Sequence, residues 1–180
     1  MDLAELPTCT RCTLSATRQR VVVGSGPSSA HLMIVGEAPG QSEDEGGAPF
    51  IGRSGRLLFA LVREELDLGR EQCFVTNVVK CRPPANRTPR PTEIASCRPW
   101  LDEQIARCRA RVILALGNTA ARSVLGFEDG IGLTHGRVVT LGAGRGLATY
   151  HPAAALRGGP SVVDVMRADL RVVKELLGEQ

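Results

Sequence analysis

Residues 31–40 read HLMIVGEAPG, a mainly apolar run that ends in a turn rich in glycine and proline. An uninterrupted apolar run of this length predicts a strand that is buried on both faces, as in a parallel sheet. After a loop-like stretch at 36–54, residues 55–68 carry apolar side chains at helical spacing and predict an amphipathic helix. A buried strand followed by such a helix is the repeating unit of an α/β fold.

Strand and helix patterns alternate along the rest of the chain. They predict one domain over residues 1–180, a three-layer α/β/α sandwich on a mainly parallel four-stranded sheet. Strands are predicted at 73–79 and 111–116, with further candidates at 137–141 and 147–150. Helices are predicted at 91–107, at 118–125 with Asn118 as its cap, and at 161–177.

Unusual segments begin at the ends of three predicted strands, at Gly36, Asn77 and His151. In a parallel sheet, ligands bind beyond the carboxyl ends of the strands. We therefore expect these three segments to form a single site.

The composition is that of a globular protein, with 43% hydrophobic residues and a net charge of +3. No apolar run is long enough to span a bilayer, and residues 1–20 lack the pattern of a signal peptide. We expect a cytoplasmic monomer with no membrane partner. The mild basicity permits binding to nucleic acid without requiring it.

Four of the six cysteines have a spacing that suggests metal binding. Cys9 and Cys12 form a C-x2-C pair, and Cys81 and Cys97 are separated by fifteen residues. Four thiolates can hold a [4Fe–4S] cluster or a zinc ion. The wide second spacing favours the cluster, although spacing alone leaves zinc and unrelated free thiols open. The other two cysteines, Cys73 and Cys108, are expected to be core thiols.

Three segments, together with these four cysteines, resemble the family 4 uracil-DNA glycosylases. The resemblance covers almost the whole chain and implies a sandwich fold, a [4Fe–4S] cluster on the four cysteines and monofunctional removal of uracil from DNA. The cluster would connect the N-terminus to the loop at 82–91. The segments are Gly36-Glu37-Ala38-Pro39-Gly40 with Gly47, Pro49-Phe50 and Gly52-Arg53; Thr76-Asn77-Val78-Val79-Lys80-Cys81-Arg82-Pro83-Pro84 with Asn86-Arg87; and Tyr150-His151-Pro152-Ala153-Ala154.

The residue types in these segments suit the binding of an extruded uracil. Gly36, Glu37 and Ala38 are predicted to form the loop that contacts the base. Phe50 can stack on the base, and the amide of Asn77 can accept from N3–H and donate to O4. His151 can donate to O2 as negative charge develops there during bond cleavage. A core aromatic at position 50 and a turn-forming asparagine at position 77 are the alternatives.

The residue that activates water is less clear from the sequence. Ala38 stands where the best-known uracil-DNA glycosylases have an aspartate, so Glu37 is the predicted second catalytic residue beside His151. We expect the neighbouring Glu43 and Asp44 only to solvate the loop.

Contacts with DNA are predicted at five positions outside the base pocket. Leu156 could fill the gap left by the flipped base, and four arginines could contact phosphates. Solvated side chains are the alternative at each arginine. The four are Arg53, Arg82, Arg87 and Arg157.

Three other functions are weighed against glycosylase activity. A related type of protein traps uracil DNA covalently through a histidine in the loop after the cluster cysteine, but residues 82–92 contain no histidine. A non-catalytic uracil-DNA-binding protein or electron carrier would not need Glu37, Asn77 and His151 together. A phosphate-binding nucleotide enzyme would carry a glycine motif at the first strand end, and none is present.

Overall fold

The computed structural model describes residues 2–179, in which five strands form one sheet. The strand order is β2-β1-β3-β5-β4, with β4 antiparallel to β5 and every other pair parallel. The mainly parallel arrangement is confirmed, and the sheet has one strand more than the four predicted. The strands are β1 (Leu32–Gly36), β2 (Cys73–Asn77), β3 (Val112–Leu116), β4 (Val138–Leu141) and β5 (Gly144–Thr149).

Helices cover both faces of the sheet, which confirms the three-layer sandwich. In β1, Met33 and Val35 pack into one core cluster, whereas Leu32 and Ile34 pack into the other. This alternation explains why the strand is apolar at successive positions. No helix within residues 2–179 is long and apolar enough to cross a membrane. The helices are α1 (Gln41–Gly46), α2 (Arg53–Leu66), α3 (Pro91–Cys108), α4 (Gly117–Leu125), α5 (Ile131–Thr134), α6 (Pro152–Gly158) and α7 (Pro160–Gly178).

Two local expectations are corrected by the structure. β2 ends at Asn77, because Val78 N–H donates to Gly36 O at 2.8 Å and Val79 N–H donates to Glu37 O at 3.1 Å. The chain after β2 therefore folds over the end of β1. Asn118 does not cap α4; its Oδ1 accepts from Ile131 N–H at 2.7 Å and positions α5.

A buried carboxylate connects the N-terminal segment to the start of α3. Glu93 is 1% exposed and accepts two hydrogen bonds from the Arg87 guanidinium, at 2.7 and 2.9 Å. It also accepts from Arg90 N–H at 2.7 Å and from Thr13 Oγ1 at 3.3 Å. Because Arg87 lies nearby, the pKa of Glu93 falls to about 2 and the group remains an anion at neutral pH.

Candidate active site

A cavity of about 570 Å³ opens at the carboxyl ends of the central strands. Five predicted site residues line it together: Glu37, Ala38, Phe50, Asn77 and His151. Gly36 lies beneath this cavity, and a Cβ there would overlap Asn77 Oδ1 and the Phe50 ring. A glycine at position 36 thus lets these two side chains meet above β1.

Phe50 forms part of the cavity wall from a constrained backbone. Its φ is +53°, a conformation unusual for a residue with a Cβ. Arg70 stabilises this turn, since its guanidinium donates to Phe50 O at 3.1 Å and also to Pro49 O. The Phe50 and His151 ring centroids are 5.8 Å apart, and the two rings are tilted by 33°. The sequence contains no signal that would have identified Arg70.

Asn77 presents an unsatisfied acceptor. Its side chain is 2% exposed, and Oδ1 has no hydrogen-bond partner among the residues that the structure describes. Leaving a buried carbonyl oxygen without a donor costs about 1–3 kcal/mol. A ligand that brings an N–H group to this point would remove that cost.

His151 is held in one protonation state by its surroundings. Ala153 N–H donates to Nδ1 at 3.1 Å, which assigns the ring proton of the neutral form to Nε2. Burial lowers the pKa of His151 to about 4, and Arg157 acts in the same direction. The side chain is therefore a neutral donor at physiological pH.

Glu37 is oriented by a residue that the sequence analysis missed. Thr119 Oγ1, at the start of α4, donates to Glu37 Oε2. No hydrogen-bond partner for Glu37 Oε1 occurs within residues 2–179. This carboxylate can accept from a water molecule through that second oxygen.

The expectation that Glu43 and Asp44 only solvate the loop is wrong. Glu43 is 8% exposed and accepts from Gly40 N–H at 3.1 Å and Gly52 N–H at 2.9 Å. Asp44 is 2% exposed and accepts from Gln19 N–H at 2.9 Å. Both carboxylates organise the backbone around the cavity.

The residues predicted to contact DNA differ in their exposure and in the hydrogen bonds that they already make. Arg53 and Arg157 are exposed, and Arg157 also lines the cavity. Arg82 donates to Asn86 Oδ1 at 2.7 Å, and Arg87 is engaged with Glu93 although it borders the cavity. Leu156 is 45% exposed on α6 and follows the His151 segment directly.

The four predicted ligand cysteines line a second, smaller cavity. Three of their sulfurs accept hydrogen bonds: Cys9 from Trp100 Nε1 at 3.3 Å, Cys81 from Arg18 at 3.5 Å and Cys97 from the Lys80 amide at 3.3 Å. Burial raises the pKa of the Cys81 thiol to about 12 and also raises that of Cys97. These thiols would ionise at neutral pH only with a cation bound.

The two remaining cysteines lie outside the cysteine cavity. Cys73 and Cys108 are buried elsewhere in the core, as predicted. In the part of the chain that the structure describes, no three His, Cys, Asp or Glu side chains are placed to hold a single metal ion. Cys9, Cys12, Cys81 and Cys97 line one cavity.

Comparison with known proteins identifies the family of the chain. The chain matches the model of the uracil DNA glycosylase superfamily over residues 23–171. It is 41% identical to a type-4 uracil-DNA glycosylase of Saccharolobus solfataricus, an alignment that covers 98% of this chain and 85% of the relative. It is 44% identical to the type-4 enzyme of Thermotoga maritima, over 83% of this chain and 78% of the relative. The chain therefore belongs to the uracil DNA glycosylase superfamily and, within it, to the family of type-4 uracil-DNA glycosylases.

Proposed function

We propose that this protein excises uracil from DNA by hydrolysing the bond between the base and deoxyribose, which leaves an abasic site. The observation that carries the proposal is the unsatisfied Oδ1 of Asn77, in a cavity shared with Phe50 and His151. A base must leave the duplex to reach such a cavity, at a cost of a few kcal/mol. Stacking on Phe50 offsets part of that cost, by about 1–3 kcal/mol.

Asn77 supplies the selectivity for uracil. Its Oδ1 accepts from uracil N3–H, and its NH₂ group donates to O4. Cytosine has an acceptor at N3 and an amino group at C4, so both hydrogen bonds would become repulsive contacts. A site that loses buried hydrogen bonds in this way rejects the wrong ligand strongly.

Asn77→Asp should weaken uracil excision and admit some cytosine, because the carboxylate can accept from the cytosine amino group. Activity is measured on oligonucleotides with one uracil or one cytosine opposite guanine, followed by alkaline cleavage of the abasic site. Gln72→Glu lies outside the cavity, retains an acceptor for Gly69 N–H and should leave the selectivity unchanged. Unchanged uracil excision by Asn77→Asp would remove Asn77 from the base pocket.

His151 acts on the charge that develops during cleavage. As the bond to the sugar breaks, the electron pair moves onto the uracil ring and leaves an electron-poor sugar. The Nε2–H group of neutral His151 donates to uracil O2 and stabilises this anion. Because the tautomer is set by Ala153 N–H, the donor needs no reorganisation when the charge forms.

His151→Ala should lower kcat by about 10²–10³ while DNA binding changes little.

The lowered pKa of His151 gives a pH test of the same residue. The neutral form prevails above about pH 4, so wild-type kcat should show no step at the ordinary histidine pKa near 6.5. His31→Ala, at an exposed histidine, is the control variant and should keep the kcat and the pH profile of the wild type. A rate that rises as the pH falls through 6.5 would show that the imidazolium is the active form.

We assign to Glu37 the role of positioning or deprotonating the attacking water. Its Oε2 is held by Thr119, and Oε1 can accept a proton from water or hold water against the sugar. The water then attacks the electron-poor sugar carbon after the base has begun to leave. Thr119 contributes by fixing the direction of the carboxylate.

Glu37→Gln should reduce kcat by about 10²-fold, as expected for loss of a group that positions or deprotonates water. Thr119→Val should give a smaller loss in kcat with little change in KM, because only the carboxylate direction is affected. Thr119→Ser retains the hydroxyl and should remain close to wild type. Equal activity of the Val and Ser variants would show that Thr119 does not position Glu37.

For the cysteine cavity we propose a [4Fe–4S] cluster held by Cys9, Cys12, Cys81 and Cys97. The four cysteines line one cavity, and N–H donors aimed at the sulfurs are typical of such clusters. When bound, it would cross-link the N-terminal segment to the chain after β2 and to α3.

The purified protein should contain iron and inorganic sulfide. Cys97→Ala should lose both, and Cys73→Ala, in which the altered cysteine lies outside the cavity, should keep both. One equivalent of zinc without sulfide in the wild-type protein would contradict the cluster.

The remaining assignments concern the DNA itself and the setting of the protein. We propose that Leu156 enters the duplex beside the flipped base and that Arg53 and Arg157 contact phosphates, since all three are exposed. The same role is assigned to Arg82, whereas Arg87 contributes mainly through Glu93. We propose a cytoplasmic monomer whose partner is uracil-containing DNA.

A further inference from the structure

Lys80 is the largest fully buried side chain of the protein, with 1% of its surface exposed. Its Nζ donates to Thr76 Oγ1 at 2.8 Å, to Asn77 O at 2.6 Å and to Gln104 Oε1 at 2.7 Å. An ammonium group has three N–H donors, and all three have an acceptor here. The site is therefore built for the charged form of lysine.

The three acceptors are all neutral. Within residues 2–179, no carboxylate lies within ion-pair distance of Lys80 Nζ. Burying an unbalanced charge costs several kcal/mol, and an anion nearby would offset part of that cost.

The cysteine cavity is the available source of negative charge. Lys80 lines that cavity, and its backbone N–H donates to Cys97 Sγ at 3.3 Å. Cys81 follows it directly in the chain. Four thiolates around an iron–sulfur core carry a net negative charge, which a buried cation stabilises.

We infer that Lys80 is the buried counter-charge of the iron–sulfur cluster and that it couples the cluster to the uracil pocket. This inference rests on the proposed cluster. The same ammonium group binds the carbonyl oxygen of Asn77, so the cation that the cluster stabilises also fixes the end of β2. Lys80 is thus a positioning residue, and it does not touch the base.

The first test replaces Lys80 with methionine, which preserves length and removes the charge. Iron loss to a chelator should become about 10- to 100-fold faster, the range seen when groups that support metal ligands are removed. The midpoint potential of the cluster should become more negative, because the more negative reduced state loses its cation. Lys174→Met, at the only other lysine and exposed on α7, should change neither quantity.

The second test keeps Lys80 and changes the acceptor beside it. Gln104→Glu places a carboxylate against the ammonium group and competes with the cluster for its charge, so the midpoint potential should again become more negative. An unchanged potential in this variant would show that the cluster does not sense the charge around Lys80 Nζ, and the variant also serves if Lys80→Met does not fold.

The outcomes distinguish a failure of the proposed cluster from a failure of the role assigned to Lys80. A wild-type protein without iron and sulfide overturns the proposed cluster, and the inference about Lys80 with it. A wild-type protein that contains the cluster, with unchanged potential and iron retention in both Lys80→Met and Gln104→Glu, overturns the role of Lys80 alone.

Discussion

Two backbone hydrogen bonds join the carboxyl ends of β1 and β2, from Val78 N–H to Gly36 O and from Val79 N–H to Glu37 O. They bend the chain after β2 over the end of β1 and so place Asn77 beside the Gly36–Gly40 turn. The absence of a side chain at Gly36 then allows Asn77 and Phe50 to meet there. The base pocket depends on this junction because Glu37, Phe50 and Asn77 meet there, while His151 enters the pocket from the end of β5.

Carboxylates stabilise the loops around the pocket. Glu43 and Asp44 accept backbone N–H groups that the irregular chain leaves without helix or strand partners. Glu93 does the same at the start of α3 and adds the Arg87 guanidinium. Each of these carboxylates accepts more than one hydrogen bond and so fixes the direction of the backbone around it. Glu37, the proposed catalytic carboxylate, differs from them, since only its Oε2 accepts a hydrogen bond within residues 2–179.

The segment from Thr76 to Cys81 serves both cavities within six residues. Asn77 lines the base pocket, and Cys81 lines the cysteine cavity. Lys80 connects the two, since its side chain binds Asn77 O and its backbone N–H donates to Cys97 Sγ. In the proposed enzyme, the cluster therefore supports the pocket through the strand end that reads the base.

The sequence by itself determined the layered fold, the strand ends that carry the site, and five residues that line the pocket: Glu37, Ala38, Phe50, Asn77 and His151. These properties depend on local periodicity and on motifs whose residues lie close together in the chain. The tertiary structure alone decided that Arg70 fixes the Phe50 turn, that Thr119 orients Glu37, and that Arg87 pairs with Glu93. It also decided the tautomer of His151 and the unbalanced burial of Lys80. The contacts of Arg70 and Thr119 join residues that are far apart in the chain, and all of these contacts depend on side-chain directions that only the packed sheet and helices define.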